Sequence, residues 1–397
     1  MKCQNSSSNK AASYTVKSKK TEAAKAPSKQ KVAILGGGLI GRLLAWRLAS
    51  SQESSENTDY DNGITNNIEV HVFEKTSLNP GLQQSDKAAA FTAAAMISPM
   101  SELIASELEI YRLGKQSLEL WPRWLEQLDC LQHFHQQGSL VLAHPNDLAE
   151  LHQFQRDLEF KLRQLPNNKN SSILLDQQQI NELEQNLADH FQQGLYFEDE
   201  AHIDHHEVLA QLVLQAESLG THFHQYHSLE INDSRLADFD LIFDCRGMGS
   251  KNTASDNSDA ELRGVRGEVI WLESKEITLS RPIRLMHPRY KLYVVPKPSH
   301  QFIIGATEIE SEDRSPISLR SSMELMSALY AINPAFAEAR IIAQDSNLRP
   351  AYIDNLPKIK QRLSDLNQPI ISINGLYRHG YLIGPAVIEQ AIHKAFQ

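Results

Sequence analysis

The chain has 397 residues, of which 41% are hydrophobic, and a formal net charge of −10 at pH 7. This length is sufficient to bury one large core or two smaller ones, so we expect a globular protein of two domains. The negative charge argues against nucleic acid as a partner, because binding along a duplex requires clustered Lys and Arg. The three cysteines lie far apart and form no CxxC pair, which argues against a disulfide framework and a thiolate metal site.

Residues 1–30 are rich in Lys, Ser and Ala and contain no apolar segment of the kind that signal peptides carry. We predict that they form a disordered extension. Nowhere in the chain do about 18 consecutive apolar residues occur, the length that a helix needs to cross a bilayer. Together with the few cysteines, these patterns favour a cytoplasmic protein without a membrane-spanning segment.

A glycine cluster follows in the segment KVAILGGGLIGRLLAWRLA. The apolar run 32–35 predicts a buried parallel strand, and apolar residues at helical spacing over 39–48 predict a helix. Gly36, Gly38 and Gly41 lie at this strand-to-helix turn and match the pattern G-x-G-x-x-G. The first permits the tight turn, the second lets a pyrophosphate approach the backbone, and the third allows close helix packing. The turn therefore predicts a dinucleotide site at the amino end of the helix.

The next predicted strand, 68–73, ends at Glu74, where an acidic residue holds a ribose hydroxyl in dinucleotide-binding proteins. The intervening segment, 50–67, is polar and is expected to form a surface loop that lengthens the usual spacing. Glu74 favours a free ribose over a 2′-phosphate, which leaves FAD and NAD as candidate cofactors. Residues 88–102, AAAFTAAAMISPMSE, are small enough to let backbone approach a flat cofactor, with an ordinary Ala-rich helix start as the alternative.

The segment HIDHHE, 202–207, offers three His and two carboxylates. Asp204 and Glu207 fit a capping box at the start of a helix over 207–219 that Gly220 ends. Closely spaced His at a helix start lack the i, i+4 geometry of a shared ligand face. We therefore predict no metal site here.

Residues 241–249, LIFDCRGMG, form another apolar run that ends in glycines. We interpret it as a later strand of the nucleotide sheet that brings backbone to the cofactor, with a buried strand before a plain turn as the alternative. Three strand-like runs follow, VRGEVIWLE, RLMHPRYKLYVVPK and QFIIGATEIE, separated by polar or Pro-containing turns. Consecutive strands of this kind predict an antiparallel sheet.

Several segments, taken in order, resemble the D-amino-acid oxidase family of flavoproteins, and within it the glycine oxidases of thiamine biosynthesis. They are the Gly36 turn, the Glu74-Lys75 strand end, FTAAAMISP, YVVPK, FIIGATEIE, NLRPAY and GLYRHGYLIGPAV. The resemblance extends in patches from residue 31 to the carboxyl end. It is densest over 31–102 and 281–393, and it is thin between 103 and 260.

The resemblance implies an α/β protein in which a Rossmann-type FAD-binding domain with a parallel sheet adjoins a substrate domain built on an antiparallel sheet. The FAD-binding domain would comprise 31–102, 201–250 and 341–397, and the substrate domain 103–200 and 251–340. FAD would be held without a covalent bond, since no Cys lies near the carboxyl-terminal turn. The implied FAD contacts are Gly36, Gly38, Leu39, Ile40, Gly41, Glu74, Lys75, Thr92, Ala93, Ala94, Ala95, Met96, Gly247, Arg378, His379, Gly380, Tyr381 and Leu382.

The oxidation of an amino acid needs a cation that fixes its carboxylate, and Arg suits this task because its planar fork donates two parallel hydrogen bonds. By the resemblance, Arg349 in NLRPAY is that anchor, and Tyr293 in KLYVVPK donates a further hydrogen bond to the same carboxylate. Arg378 in LYRHG would lie beside the flavin. The residues alone leave alternatives: both arginines as surface ion-pair partners and Tyr293 as a core residue.

We therefore expect an FAD-dependent oxidase that transfers a hydride from glycine or another small amino acid or amine to flavin N5, with no side-chain acid or base. Oxygen would reoxidise the flavin and yield hydrogen peroxide. Two other classes share every motif: a flavin-dependent D-amino-acid dehydrogenase that passes electrons to a quinone, and a flavoprotein without oxidase activity. A small amino acid and oxygen are the expected partners, and a homo-oligomer is left open.

Overall fold

The computed structural model describes residues 29–51, 67–84, 86–165, 172–187, 190–251, 261–287 and 291–396. The predicted disordered extension, 1–30, lies outside the described residues except for its last two. Most of the predicted surface loop, 50–67, lies outside them as well. Among the residues that are described, no helix combines the length and the apolar character needed to cross a membrane.

Strands and helices are mixed along the described chain. The strands are β1 Gln30–Leu35, β2 Ile68–Glu74, β3 Met96–Ile97, β4 Phe134–His135, β5 Ser139–Ala143, β6 Ser172–Asp176, β7 Gln193–Phe197, β8 Ala201–Ile203, β9 His222–Gln225, β10 Leu241–Asp244, β11 Arg263–Glu273, β12 Ile283–Met286, β13 Lys291–Lys297, β14 Gln301–Gly305, β15 Arg340–Ala351, β16 Lys358–Leu363 and β17 Pro369–Asn374. The α-helices are α1 Leu39–Ser50, α2 Pro99–Glu102, α3 Leu108–Gln127, α4 Leu148–Leu162, α5 Gln177–Leu183, α6 His205–Ser218, α7 Leu319–Ile332 and α8 Gly380–Phe396.

The first sheet has the strand order β16-β17-β10-β1-β2-β9. Its neighbouring strands run parallel, except for the antiparallel edge pair of β16 and β17. One face packs on α1, α6 and α8, and the other face packs on apolar side chains of the segment that precedes β10. Because both faces are covered, β10 and most of β1 are buried, and they are apolar except for Asp244 at the end of β10 and the first residues of β1, as is typical of strands inside a parallel sheet. The predicted Rossmann-type sheet is confirmed.

The second sheet has the strand order β15-β11-β14-β13-β12-β5-β7-β6. Its pairs are antiparallel, except that β12 and β5 run parallel. Helix α7 packs against β11, β13 and β14, and buries an apolar core on one face. Nine consecutive residues of β11 are buried, which shows that both faces are covered at this strand. The predicted antiparallel sheet is confirmed, with one parallel pair that the sequence did not indicate.

Two stretches pack across the predicted domain boundaries. Strand β15, which the sequence grouped with 341–397, pairs along its length with β11 in the second sheet. Helix α3, which the sequence grouped with 103–200, packs on α8 in the core beside the first sheet. The elements that they contact, β11 and α8, are distant along the chain, so local sequence patterns did not reveal these contacts. The division into two domains stays a prediction.

A small antiparallel sheet, β3-β8-β4, contains part of the segment HIDHHE. Asp204 is the N-cap residue of α6, but its side chain makes no capping hydrogen bond, so the predicted capping box is wrong. Its Oδ2 lies instead 2.8 Å from Nε2 of His135. His135 faces His202 across the two strands, and ligand atoms of these three side chains lie within 4.8 Å of one another. This grouping is cross-strand and not helical, and the absence of a metal here stays a prediction.

A buried arginine ties the first helix to its surroundings. Arg42 is fully buried, and its guanidinium donates hydrogen bonds to the carbonyl oxygens of Gly37 at 2.6 Å, Leu209 at 2.7 Å, and Leu78. Burial lowers the pKa of Arg42 to about 10, so the group is cationic at neutral pH. These bonds link the glycine turn, α6 and the segment after β2 to one side chain of α1.

We expect Arg42→Leu to lower the free energy of unfolding of the apoprotein by about 3 kcal/mol or more, because three buried carbonyls lose their donors. Arg42→Lys keeps the charge and one donor group, and should recover part of the loss. Urea unfolding followed by circular dichroism measures both variants.

The same substitution at an exposed position of α3, Arg112→Leu, is the matched control for Arg42→Leu. Its side chain is 58% exposed, and it should change the free energy of unfolding by less than about 0.5 kcal/mol. If Arg42→Leu costs no more than this control, the three hydrogen bonds do not hold the turn in place.

Candidate active site

The glycine turn between β1 and α1 forms one end of the candidate site. Gly36 has φ +99°, and a Cβ there would lie 2.7 Å from the carbonyl oxygen of Cys245. A Cβ on Gly41 would lie 1.9 Å from the carbonyl oxygen of Gly36. Gly38 is the N-cap of α1, where the nearest heavy atom to a Cβ would be 3.4 Å away. The turn and its packing require the first and third glycines, whereas the second leaves space at the helix end that favours an anion.

Glu74 lies at the end of β2 beside this turn. Its Oε2 accepts a hydrogen bond from the N–H of Gly37 at 2.7 Å. Its Oε1 accepts hydrogen bonds from the N–H and the hydroxyl of Thr76, at 3.0 and 2.8 Å. These bonds fix a buried carboxylate in the wall of the cavity next to the turn. The position suits a ribose ligand, and that role stays a prediction.

A cavity of about 1420 Å³ extends from the glycine turn to the second sheet. Sites for one small ligand measure about 300–1000 Å³, so this cavity has room for a dinucleotide together with a small substrate. Gly41 lies outside its walls, as expected of a glycine that serves helix packing. The other predicted FAD contacts all line it, namely Gly36, Gly38, Leu39, Ile40, Glu74, Lys75, Thr92, Ala93, Ala94, Ala95, Met96, Gly247, Arg378, His379, Gly380, Tyr381 and Leu382.

A buried ion pair joins the small-residue segment to the second sheet. Nζ of Lys87 lies 2.8 Å from Oδ2 of Asp345, and the two side chains are 1% and 7% exposed. The Thr92 hydroxyl donates a hydrogen bond to the same carboxylate oxygen at 2.8 Å. The small-residue segment forms a short 3₁₀ turn over Ala89–Phe91 and then enters β3. The alternative of an Ala-rich α-helix start therefore does not hold. Sequence reasoning missed Lys87 and Asp345 because neither belongs to a local pattern.

Arg349 and Tyr293 line the cavity at the second sheet. The guanidinium of Arg349 donates hydrogen bonds to two backbone carbonyl oxygens, at 3.0 and 3.3 Å. A Cβ on Gly267 would lie 2.3 Å from Cζ of Arg349, so the space for the guanidinium depends on that glycine. A Cβ on Gly305 would likewise lie 3.0 Å from the Tyr293 hydroxyl. Among the described residues, the structure pairs no carboxylate with Arg349.

Three more charged groups lie at this end of the cavity, and sequence reasoning missed them: Glu102, Arg284 and Glu308. Glu102 pairs with Arg284 at 2.5 Å and with Arg378 at 3.1 Å. Glu308 pairs with Arg378 at 2.9 Å. Although burial opposes it, the neighbouring arginines hold the pKa of Glu102 well below its usual value. Glu102 ends the small-residue segment and Glu308 lies in FIIGATEIE, but no local signal marks either as part of a site.

The phenol and the imidazole at this end are both neutral at pH 7. Burial raises the pKa of Tyr293, although the neighbouring arginines oppose the shift. Its hydroxyl therefore keeps the proton and can donate a hydrogen bond. Burial lowers the pKa of His379, whose Nε2 lies 3.4 Å from Oε2 of Glu102. The permanent charges of this region are therefore those of carboxylates and guanidiniums.

The glycine turn, the Glu74 carboxylate and a long cavity that continues to the second sheet fit an enzyme that binds a dinucleotide. Residues 31–391 match the family described as FAD dependent oxidoreductase, DAO, and the chain belongs to that family. FAD is accordingly its cofactor. The residues present fit it, because the open helix end at Gly38 suits a pyrophosphate and the long cavity continues from there to the second sheet.

A relative from Rhizobium etli, described as a putative thiamine biosynthesis oxidoreductase ThiO, is 34% identical over 364 residues, which cover 92% of this chain and 96% of the relative. The fold is that of the glycine oxidase from Bacillus cereus, with a TM-score of 0.72, 19% identity, and coverage of 93% and 96% of the two chains. The iminodiacetate oxidase from Chelativorans sp. BNC1 has a TM-score of 0.71, 19% identity, and coverage of 91% and 94%. At these identities the two solved structures show the fold alone.

We expect Gly38→Asp to abolish FAD retention, because a carboxylate would occupy the space and reverse the charge that a pyrophosphate requires. The apoprotein of this variant should unfold at the wild-type urea concentration, since a Cβ at Gly38 has ordinary contacts. Visible absorbance of the purified protein measures the flavin content.

Gly41→Ala is the contrasting control for Gly38→Asp. Its Cβ would meet the Gly36 carbonyl at 1.9 Å, so it should destabilise the apoprotein by about 2 kcal/mol or more. A folded Gly38→Asp protein that purifies with a normal flavin content would contradict the placement of the cofactor.

Proposed function

We propose that the protein is an amino-acid oxidase that removes a hydride from the α carbon of glycine or another small amino acid or amine, with oxygen as the final acceptor. This proposal rests on the surroundings of the Arg349 guanidinium. The guanidinium lines the cavity, donates hydrogen bonds to neutral carbonyls and, within the described residues, has no carboxylate partner. A substrate carboxylate is the complementary group, because Arg binds carboxylates through two parallel hydrogen bonds.

Tyr293 supports the same class of substrate. The charge of Arg349 acts on the pKa of Tyr293, so the two groups lie close together in the cavity. A protonated phenol can donate one hydrogen bond to a carboxylate oxygen that the guanidinium also binds. The pair would thus orient a carboxylate from two directions, which places the adjacent α carbon in a defined position.

When bound, FAD would supply the hydride acceptor, and oxygen would take up the electrons to give hydrogen peroxide. In glycine, the α C–H bond breaks with its electron pair, the amine gives a proton to solvent, and the resulting imine hydrolyses to glyoxylate and ammonia. The protein's own residues bind the carboxylate and exclude water from the reacting carbon. No side-chain base is needed, because the amine reacts in its unprotonated form.

The similarity to the Rhizobium etli relative, whose name refers to thiamine biosynthesis, supports a place in that pathway. We further propose that FAD is held without a covalent bond and that the protein acts in the cytoplasm. The scarcity of cysteines supports both statements.

The direct test supplies the purified FAD-loaded protein with glycine, sarcosine and D-alanine under air and measures hydrogen peroxide. Peroxide formation supports the proposal. Flavin reduction without peroxide, and turnover only with a dye or quinone, would indicate a dehydrogenase. If no amino acid bleaches the flavin under anaerobic conditions, the protein is a flavoprotein of another kind.

Arg349→Leu should retain FAD but lose kcat/KM for glycine and sarcosine by about 10²- to 10³-fold, because a charge-assisted bidentate contact away from bulk water contributes several kcal/mol. Arg349→Lys keeps the charge without the fork and should recover only part of the efficiency. Amines that lack a carboxylate should be affected much less.

Arg340→Leu is the matched control for Arg349→Leu, because it lies on the same strand with its side chain 79% exposed. It should leave kcat/KM at the wild-type value. Steady-state kinetics of the three variants decide the matter. Wild-type efficiency of Arg349→Leu toward glycine would show that the carboxylate anchor lies elsewhere.

Gly267→Ala tests the position of the guanidinium by another route. The φ of Gly267 lies outside the left-handed region, so Ala suits the backbone, but its Cβ would occupy the place of the Arg349 guanidinium. We expect FAD to be retained and kcat/KM for glycine to fall by about as much as in Arg349→Leu. In the double variant, Gly267→Ala with Arg349→Leu, the two losses in kcat/KM should not multiply, because both substitutions remove the same contact. Multiplicative losses would mean that Gly267 acts in some other way.

A further inference from the structure

Five charged side chains form a cluster around Tyr293 at the substrate end of the cavity. Four of them, Glu102, Arg284, Arg349 and Arg378, act on the pKa of Tyr293. The fifth, Glu308, pairs with one of the four and lines the same cavity. The cluster therefore combines three guanidiniums with two carboxylates.

The two carboxylates divide the arginines into occupied and available ones. Glu102 lies between Arg284 and Arg378, and Glu308 holds the other side of Arg378. Both terminal nitrogens of Arg378 are thereby engaged, Nη2 with Glu102 and Nη1 with Glu308. Arg349 donates to backbone carbonyls instead, so its positive charge is the one that the cluster leaves uncompensated.

This balance matches a substrate with a single carboxylate. One carboxylate on Arg349 brings the cluster to neutrality, whereas a second would add an uncompensated negative charge. An unpaired charge away from bulk water is costly, since its hydration is lost without a partner. Within the cluster, the second carboxylate would require a second available guanidinium, and Arg378 could serve only if one of its own carboxylates were absent.

We propose that Glu308 is a specificity-determining residue: by occupying Nη1 of Arg378, it restricts the site to monocarboxylate amines. Loss of its negative charge opens a second carboxylate site on Arg378. This inference rests on the proposed function for the identity of the reaction, but the charge selection it describes is a property of the pocket itself.

Glu308 can be substituted without leaving several buried groups unpaired, whereas Glu102 cannot. The side chain of Glu102 is 13% exposed and contacts Arg284, Arg378 and His379 together, so its loss would leave several buried groups unpaired. The side chain of Glu308 is 45% exposed and follows the end of β14, so a neutral side chain there is not deprived of water. Glu308→Gln keeps a side-chain oxygen that can accept a hydrogen bond from Tyr377, so it changes the charge of the pocket with little disturbance of the fold.

The binding test uses ligands that resemble the substrates but carry an ether oxygen in place of the amine, so that they are not oxidised. Methoxyacetate has one carboxylate and diglycolate has two. Their Kd values for the FAD-loaded protein are obtained from changes in the visible absorbance of the bound flavin. We expect the wild type to prefer methoxyacetate, and Glu308→Gln to shift the ratio of the two Kd values toward diglycolate by about tenfold or more.

Two variants keep the binding test specific. Glu308→Asp retains the charge and should retain the wild-type preference. Glu310→Gln is the matched control, because Glu310 is exposed, pairs with Arg263 and is not part of the cavity wall. It should leave the ratio unchanged. If Glu308→Gln lowers the flavin content, Glu308→Ser provides the same charge change with a smaller side chain.

Turnover gives the second measurement, as the ratio of kcat/KM for iminodiacetate to that for sarcosine. Glu308→Gln should raise this ratio about tenfold or more, through KM rather than kcat. An unchanged ratio in both measurements, or a wild type that already binds diglycolate as well as methoxyacetate, overturns the inference about Glu308. If the Kd ratio shifts but no amine is oxidised by any form, the inference stands and the proposed function fails.

Discussion

Two backbone contacts that leave no room for a side chain set the geometry of the first sheet. A Cβ at Gly36 would press on the carbonyl of Cys245 at the end of β10, and a Cβ at Gly41 would press on Gly36 itself. These contacts decide how closely α1 lies to β1 and β10, and where the amino end of α1 points. Arg42, one residue further on, then reaches the carbonyls that link α6 to this turn. The cofactor end of the cavity is the space that remains.

In the second sheet, too, glycines leave the space that the proposed substrate-binding side chains occupy. Gly267 on β11 leaves the space that the guanidinium of Arg349 fills from the neighbouring strand, and Gly305 does the same for Tyr293. Small residues thus make room for large polar side chains within this sheet. The buried pair of Lys87 and Asp345 connects this sheet to the segment that leads from the first one. This ion pair therefore connects the cofactor end of the cavity to the substrate end.

Sequence patterns predicted the features that depend on residues close together along the chain. The glycine turn, the buried strand before it and the runs of the antiparallel sheet are local signals, and the structure confirms the fold that they indicate. The ion pairs of the substrate end are not local, since Glu102 and Arg284 lie 182 positions apart. The cross-strand partner of Asp204 is likewise distant, which is why a helical capping box was predicted in error. The cofactor and substrate roles of single residues follow from the family resemblance and stay predictions.

The arrangement of charges also distinguishes Arg349 from Arg378. Arg378 is 19% exposed and lies between two carboxylates, so most of its attraction for an anion is already used within the protein. Arg349 is partly buried and contacts only neutral acceptors among the described residues, so its charge is not compensated within the protein. Because Coulombic attraction strengthens as the surroundings become less polar, the unpaired cation in a partly shielded cavity attracts a carboxylate more strongly than the paired one. The same shielding penalises any ligand whose charge does not match, so affinity for the substrate and selection among substrates have one physical origin in this pocket.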